Sequence, residues 1–281
     1  MKYNALILMI VAIAALSCNT STDSSPGLMY PLNAGNVWNY DGTFAQYNFR
    51  PEQDSIIIPD KLISWKSKVE ILGKEILRDS VQTTKFVETE VPYIGLGYYY
   101  FIQNQDTLCE YAYHANASLI VPKQLETHRF TIHGFTFDSY REMFKFFETG
   151  SIDHKSAVDS LIYNAKPAKV HVYPLKVGSE WNYREPGYPW LLRKKIVGVE
   201  TVTVPAGTFV TFKIQFFWDF NSDGIWDTFI SGFEYVCDIG IVKRTFLYTD
   251  VPIMDGVSGP STPIGYADMK QEYVLTSVNI R

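Results

Sequence analysis

Asp219-x-Asn221-x-Asp223-Gly224-x-x-Asp227 is the stretch of this chain whose residue types and spacing speak most directly of chemistry. Oxygen-bearing side chains at alternate positions of a tight loop converge on one point, and Gly224 permits the sharp reversal. A hard cation such as Ca²⁺ takes roughly six to eight oxygens in flexible geometry. The carbonyl of Ile225 would follow as a backbone ligand, and Asp227 would close the ring directly or through water. The competing reading is a plain hairpin turn, since Asp-Gly alone is a common turn dipeptide. Four oxygen-bearing residues at these spacings favour the cation. The expected cofactor is therefore one structural Ca²⁺ held by Asp219, Asn221, Asp223, Ile225 and Asp227.

The second chemical signal is an address. Lys2 supplies a positive start, and residues 5–16 form an unbroken apolar run of twelve. That run is too short for a bilayer, which needs about 20 apolar residues, but it suits a signal peptide. Ala15-Leu16-Ser17-Cys18 then resembles a bacterial lipobox, and the resemblance implies that Cys18 becomes the lipidated first residue. Ordinary cleavage after Ser17 is the alternative, because Ala15 and Ser17 satisfy the small-x-small rule. Residues 1–17 are thus expected to be a signal peptide and 18–29 a polar tether. The chain would be exported and anchored through its N-terminal lipid in the bacterial envelope, with the outer membrane as the expected site.

No other constellation stands out. There is no Gly-rich phosphate loop, no H-E-x-x-H and no G-x-S-x-G; Ser258 has Gly256 and Gly259 near it at the wrong spacing. His114, His128, His133, His154 and His171 are scattered, and Cys109 and Cys237 read as separate thiols. No catalytic residue is assigned. Lys and Arg number 25 against 30 Asp and Glu, a net charge of −5 that gives no reason to seek nucleic acid.

The elements that must position these residues follow from an internal repeat. Tyr30-Pro31-Leu32-x-x-Gly35-x-x-Trp38-Asn39-Tyr40 recurs as Tyr173-Pro174-Leu175-x-x-Gly178-x-x-Trp181-Asn182-Tyr183, with seven of eleven positions identical at an offset of 143. Trp38 and Trp181 are expected to be core anchors rather than ligand platforms. Alternation predicts strands over 68–72, 74–79, 83–90, 97–103 and 108–113, then over 192–197, 200–204, 208–219, 226–236, 241–248 and 272–280. Val204-Pro205-Ala206-Gly207-Thr208 is a hairpin turn. Between the two sets, Ser139-x-x-Glu142 is a capping box, with Tyr140, Met143, Phe144 and Phe147 at helical spacing. A second helix is expected over 154–164. The fold class is mainly β: two related antiparallel β-modules (30–122 and 171–281), each a meander, sandwich or curved sheet, with a short helical segment in the connection 123–170.

The PL-x-x-G-x-x-W openings, Val204–Phe209 as a VPAGTF-like hairpin and Gly240-Ile241-Val242-Lys243 resemble a loose group of bacterial envelope lipoproteins. That resemblance implies a β-rich fold and an envelope location, and it brings no activity with it. The 219–227 loop looks like the calcium loops of EF-hands, dockerins and integrin-type propeller blades, although Ile230 stands where an EF-hand has its last Glu. Three functions follow. The first is a non-catalytic envelope lipoprotein, a structural or interaction module with a calcium-stabilised hairpin that meets envelope proteins or glycans. The second is a periplasmic carrier of an apolar ligand in a curved sheet. The third is a hydrolase using two carboxylates. Tyr98 to Phe101 and Tyr188-Pro189-Trp190 serve as sugar platforms in the first or as walls of a cup in the second.

Overall fold

A computed structural model describes residues 28–54, 56–91, 95–114, 130–132, 134–138, 142–143, 146–147, 161–183, 191–254 and 263–281. The signal segment and Cys18, the capping-box serine and Tyr188-Pro189-Trp190 lie outside the described residues.

Strand alternation sets the architecture. In β1 (Val37–Pro51) every second residue from Trp38 to Gln46 is buried, so one face of the strand is committed to the interior. A meander follows through β2 (Lys61–Leu77), β3 (Val81–Val91), β4 (Gly95–Gln103) and β5 (Thr107–His114). After a small hairpin, β6 (Phe130–Ile132) and β7 (Phe135–Phe137), the chain returns along β5 as β8 (Leu161–Val172). A second meander runs through β9 (Glu180–Asn182), β10 (Leu191–Val204), β11 (Gly207–Asp219), β12 (Ile230–Cys237), β13 (Gly240–Ile253) and β14 (Gly265–Asn279).

Twelve of these strands form one antiparallel sheet, in the order β8-β5-β4-β3-β2-β1-β14-β13-β12-β11-β10-β9. Strands of both halves of the chain therefore share a sheet, joined where β1 pairs with β14 from Val37↔Asn279 to Pro51↔Gly265. The outer strands of that order also meet: the Lys169 N–H donates to the Tyr183 carbonyl at 2.7 Å, and Trp181 Nε1–H donates to the Lys169 carbonyl at 2.8 Å. The sheet thus curls until its inner face encloses the core. Phe86 of β3 and Tyr235 of β12, with four strands between them along the sheet, share one hydrophobic cluster.

Several expected strands prove to be parts of longer ones. The segment 68–72 and most of 74–79 join in β2, which ends at Leu77 with 78–79 in the turn, and 192–197 and 200–204 join in β10. Each passes through a register shift at a glycine, between Ile71 and Gly73 and between Ile196 and Gly198. A bulge bends a strand without ending it, which a reading of alternation takes for a turn. The strand expected from 226 starts at Ile230, because 226–229 belong to the loop after β11. The strand expected from 272 starts at Gly265, which lets it pair with all of β1. The helix expected over 154–164 is overturned at its end: Leu161 to Tyr163 pair with His114 to Ala112 in β8. Of the first helical segment, Glu142, Met143, Phe146 and Phe147 are described. Met143, Phe146 and Phe147 pack with Phe137, Trp218 and Tyr248 in the largest core cluster.

The two copies of the repeated motif make the same local bonds. Gly35 N–H donates to the Ile71 carbonyl and Gly178 N–H to the Ile196 carbonyl, both at 2.8 Å. Ile71 and Ile196 return the favour to Asn36 and Ser179. Gly35 and Gly178 both sit at positive φ, 83° and 91°, where other residues are strained. Trp38 and Trp181 are buried, and each anchors its indole N–H on a backbone carbonyl, of Ile239 at 2.5 Å and of Lys169 at 2.8 Å. Tyr30 and Tyr173, the first residues of the two copies, touch: the Tyr30 N–H donates to the Tyr173 hydroxyl at 3.1 Å.

Candidate functional site

The acidic loop follows β11 directly. Asp219 is buried at the strand end, and its carboxylate accepts the N–H groups of Asp223 (3.2 Å) and Gly224 (3.0 Å). Asp223 accepts the Ile225 N–H at 2.8 Å, and the Asn221 amide donates to its second oxygen at 2.8 Å. Asp227 accepts the Phe220 N–H at 2.8 Å while its own N–H donates to the Trp218 carbonyl. Gly224 stands at φ 84°, the reversal expected of it. All five expected ligand residues thus share one loop. Among the described residues, however, no three His, Cys, Asp or Glu side chains converge closely enough to hold a metal ion. The donor set still suits a hard cation, because a carboxylate oxygen that accepts one N–H keeps a second lone pair.

The interior holds a different arrangement. The curled sheet leaves a cavity of about 190 Å³ with aromatic walls that include Tyr30, Phe86, Tyr99, Phe101, Phe246 and Tyr273. Tyr99 and Phe101 face this cavity, while Tyr98 and Tyr100 pack with Leu77 and Ala112 on the other side of β4. Set into the wall is an ion triad. Glu234 Oε2 accepts Lys194 Nζ at 3.0 Å, and Glu234 Oε1 accepts Arg244 Nη2 at 2.5 Å. Lys194 and Glu234 have side chains only 2% exposed and Arg244 is 29% exposed, and all three line the cavity. Lys194 also sits against the rings of Tyr183 and Phe216, at 4.8 and 4.4 Å from their centroids.

The electrostatics follow from burial and from two cations sharing one anion. Burial works to raise the Glu234 carboxyl, but Lys194 and Arg244 outweigh it and pull it down to about 2. Lys194 is lowered from the ordinary lysine range, because burial and Arg244 exceed the pull of Glu234. His171 lies beside the triad, 1% exposed, with neither ring nitrogen hydrogen-bonded among the described residues. Burial, then the charge of Lys194, pushes its pKa down to about 3, so it is a neutral imidazole. Two further carboxyl groups border the cavity. Burial raises Glu88, which accepts the hydroxyls of Ser67 (2.6 Å) and Tyr99 (3.3 Å). Glu110 accepts the Asn164 amide at 3.1 Å.

None of Lys194, Glu234, Arg244 or His171 stands out as a site residue in the sequence. A signal exists in the strand register. Leu192, Lys194 and Ile196 are all buried at alternate positions, as are Gly232, Glu234 and Val236, and Arg244 lies on the same parity as Val242 and Phe246. A charge on the inward face of an alternating strand marks a buried charge, but its partner is set only by the sheet. Cys109 and Cys237 are not joined in a disulfide, and Cys237 is buried.

No protein-family model matches this chain. No curated protein matches it either. Two crystal structures give loose superpositions. One is a candidate lipoprotein from Parabacteroides distasonis ATCC 8503, 13% identical with a TM-score of 0.37 over 89% of this chain and 97% of that one. The other is a candidate exported protein with a YmcC-like fold from Bacteroides fragilis NCTC 9343, 12% identical with a TM-score of 0.37 over 89% and 98%. A superposition at that level carries nothing about what this chain binds or does.

Proposed function

We propose that this chain is a lipid-anchored protein of the bacterial envelope that carries a small ligand inside its curled sheet, without catalysis. The observation that carries this reading is the 190 Å³ cavity bordered by a buried ion triad. Charges in a dry interior are costly, and well-packed apolar residues in their place are often as stable or more so. A cavity with aromatic walls and a few fixed polar groups is the usual form of a small-molecule site. This favours the carrier over a purely structural module. The apolar segment 5–16 and Cys18 support export and anchoring, and the repeated motif supports two related β-modules merged in one sheet.

Two measurements test the reading. Melting of the protein with a panel of benzene-sized neutral, anionic and cationic compounds should show a stabilising compound. Val69 lines the cavity, and Val69→Phe should fill it and abolish that stabilisation. If no compound raises the melting temperature, the cavity is only a packing gap. Intact mass of the protein extracted from membranes should correspond to a chain that starts at Cys18 and bears acyl groups. An unmodified chain starting there would refute the anchor.

The 219–227 loop is proposed to bind one Ca²⁺ that stiffens the end of β11. Without a bidentate Glu the affinity should be weak, with a Kd of about 10⁻⁴–10⁻³ M. Millimolar calcium should then stabilise the fold by at most about 1–2 kcal/mol, a rise of a few degrees in Tm. Asp223→Ala should remove the difference between melts with calcium and with chelator. Calorimetry without any heat of calcium binding would reduce the loop to a turn.

A further inference from the structure

Taking the cavity as a binding site, as proposed above, we infer that its ligand is a small ring-bearing monocation of the benzylamine class, with its ammonium group on Glu88 and its ring against the aromatic walls. Size comes first. A dry cavity of about 150 Å³ accommodates benzene, so 190 Å³ admits one six-membered ring with one small polar substituent and little more. Phe86, Tyr99, Phe101 and Phe246 line that volume, and aromatic rings favour both a second ring and a cation.

Charge decides the substituent. The charged side chains lining the cavity are Glu88, Glu110 and Glu234 against Lys194 and Arg244, which leaves one negative charge over. His171, beside them, is a neutral imidazole and does not alter that balance. Lys194 and Arg244 both pair with Glu234, and Glu110 accepts the Asn164 amide. Glu88 stands apart. Among the described residues it accepts the hydroxyls of Ser67 and Tyr99, at 2.6 and 3.3 Å, and joins no ion pair. The cost of its burial outweighs the help of Ser67, of the Arg244 charge and of Tyr99, so its carboxyl is raised. A ligand ammonium would supply the missing counter-charge, through a hydrogen bond strengthened by charge on both partners. A ligand carboxylate would instead add a second unbalanced anion.

Calorimetric titration of the full-length protein at pH 7 with benzylamine, benzyl alcohol and benzoate tests the inference. Benzylamine should bind about tenfold more tightly than the nearly isosteric alcohol, the scale of a charge-assisted hydrogen bond, and benzoate most weakly. Glu88→Gln keeps the shape of the side chain and removes its charge, so it should erase the preference for the amine. A preference that survives Glu88→Gln overturns the inference. Should that variant fail to fold, the wild-type series and Val69→Phe, which must block benzylamine, decide the matter. Tightest binding of the alcohol or of benzoate overturns the cation while leaving the cavity as a binding site. Absence of binding by all three overturns both. Benzylamine binding that survives Val69→Phe places the amine elsewhere and overturns the inference.

Discussion

Replacing Glu234 with alanine should destabilise the protein by about 3–5 kcal/mol, because it leaves the buried Lys194 and the partly buried Arg244 without their shared partner. Lys194 has little room to turn: its side chain is 2% exposed, and its other hydrogen-bond partner among the described residues is the Val170 carbonyl at 3.4 Å. Urea denaturation at neutral pH measures the loss, and a change below about 1 kcal/mol would mean that the interior relaxes around the charges. Acid should act through the same residue. Glu234 is held at about 2 in the folded chain against an ordinary 4.5, so its contribution is complete above 4.5 and is lost as pH falls through about 2. His171 adds to the trend with the same sign. It resists protonation down to about 3 when folded, whereas the unfolded chain takes up that proton near 6.5, so stability drops as pH falls from 6.5 towards 3. Glu234→Gln should weaken the pH dependence below 4.5 and leave the His171 part, which runs from 6.5 towards 3. An unchanged acid limb would place the titration elsewhere.

Trp38→Ala should cost a similar amount, about 3–5 kcal/mol, and lower Tm by roughly 10 °C. The indole is fully buried between Tyr30 and Phe86, with ring centroids 5.5 and 6.4 Å away. Its loss also strips the Ile239 carbonyl of its donor. Trp181→Ala removes the counterpart in the second copy of the motif, with a more local effect. That indole donates to Lys169 at the seam where β8 meets β9, so the variant should speed amide exchange in β8 as well as lower Tm. If both variants melted like the parent, the repeated motif would not be a core anchor.

Much of the local structure was legible from the chain alone, because period-two alternation is a property of single strands. Trp38 and Trp181 could be placed in the core from their motif. Val204-Pro205-Ala206-Gly207-Thr208 could be placed in a hairpin turn, and the pairing of Val204 with Gly207 shows that two residues make its loop. The 219–227 residues could be assigned to one loop, since side chains a few positions apart cannot help but be near one another. What alternation could not reveal was continuity through the bulges near Gly73 and Gly198, where one extra residue shifts the register while the hydrogen bonding resumes. Nor could it reveal that β8, read partly as helix, would pair with β5.

The cavity belongs wholly to the tertiary structure. Lys194 and Glu234 are 40 positions apart on β10 and β12, and the ion pair exists only because both strands pair with β11 and turn these side chains to one face. Each charge was visible as a polar residue on an apolar face, but the partner that makes such a charge tolerable comes from a strand whose place depends on every pairing before it. The sequence by itself determined the β-rich character, the repeated anchors and the placing of the acidic residues in one loop. The single twelve-stranded sheet, the seam at Lys169 and Tyr183, and the Lys194–Glu234–Arg244 triad were decided by long-range pairing, because strand edges carry no label for the neighbour they will meet.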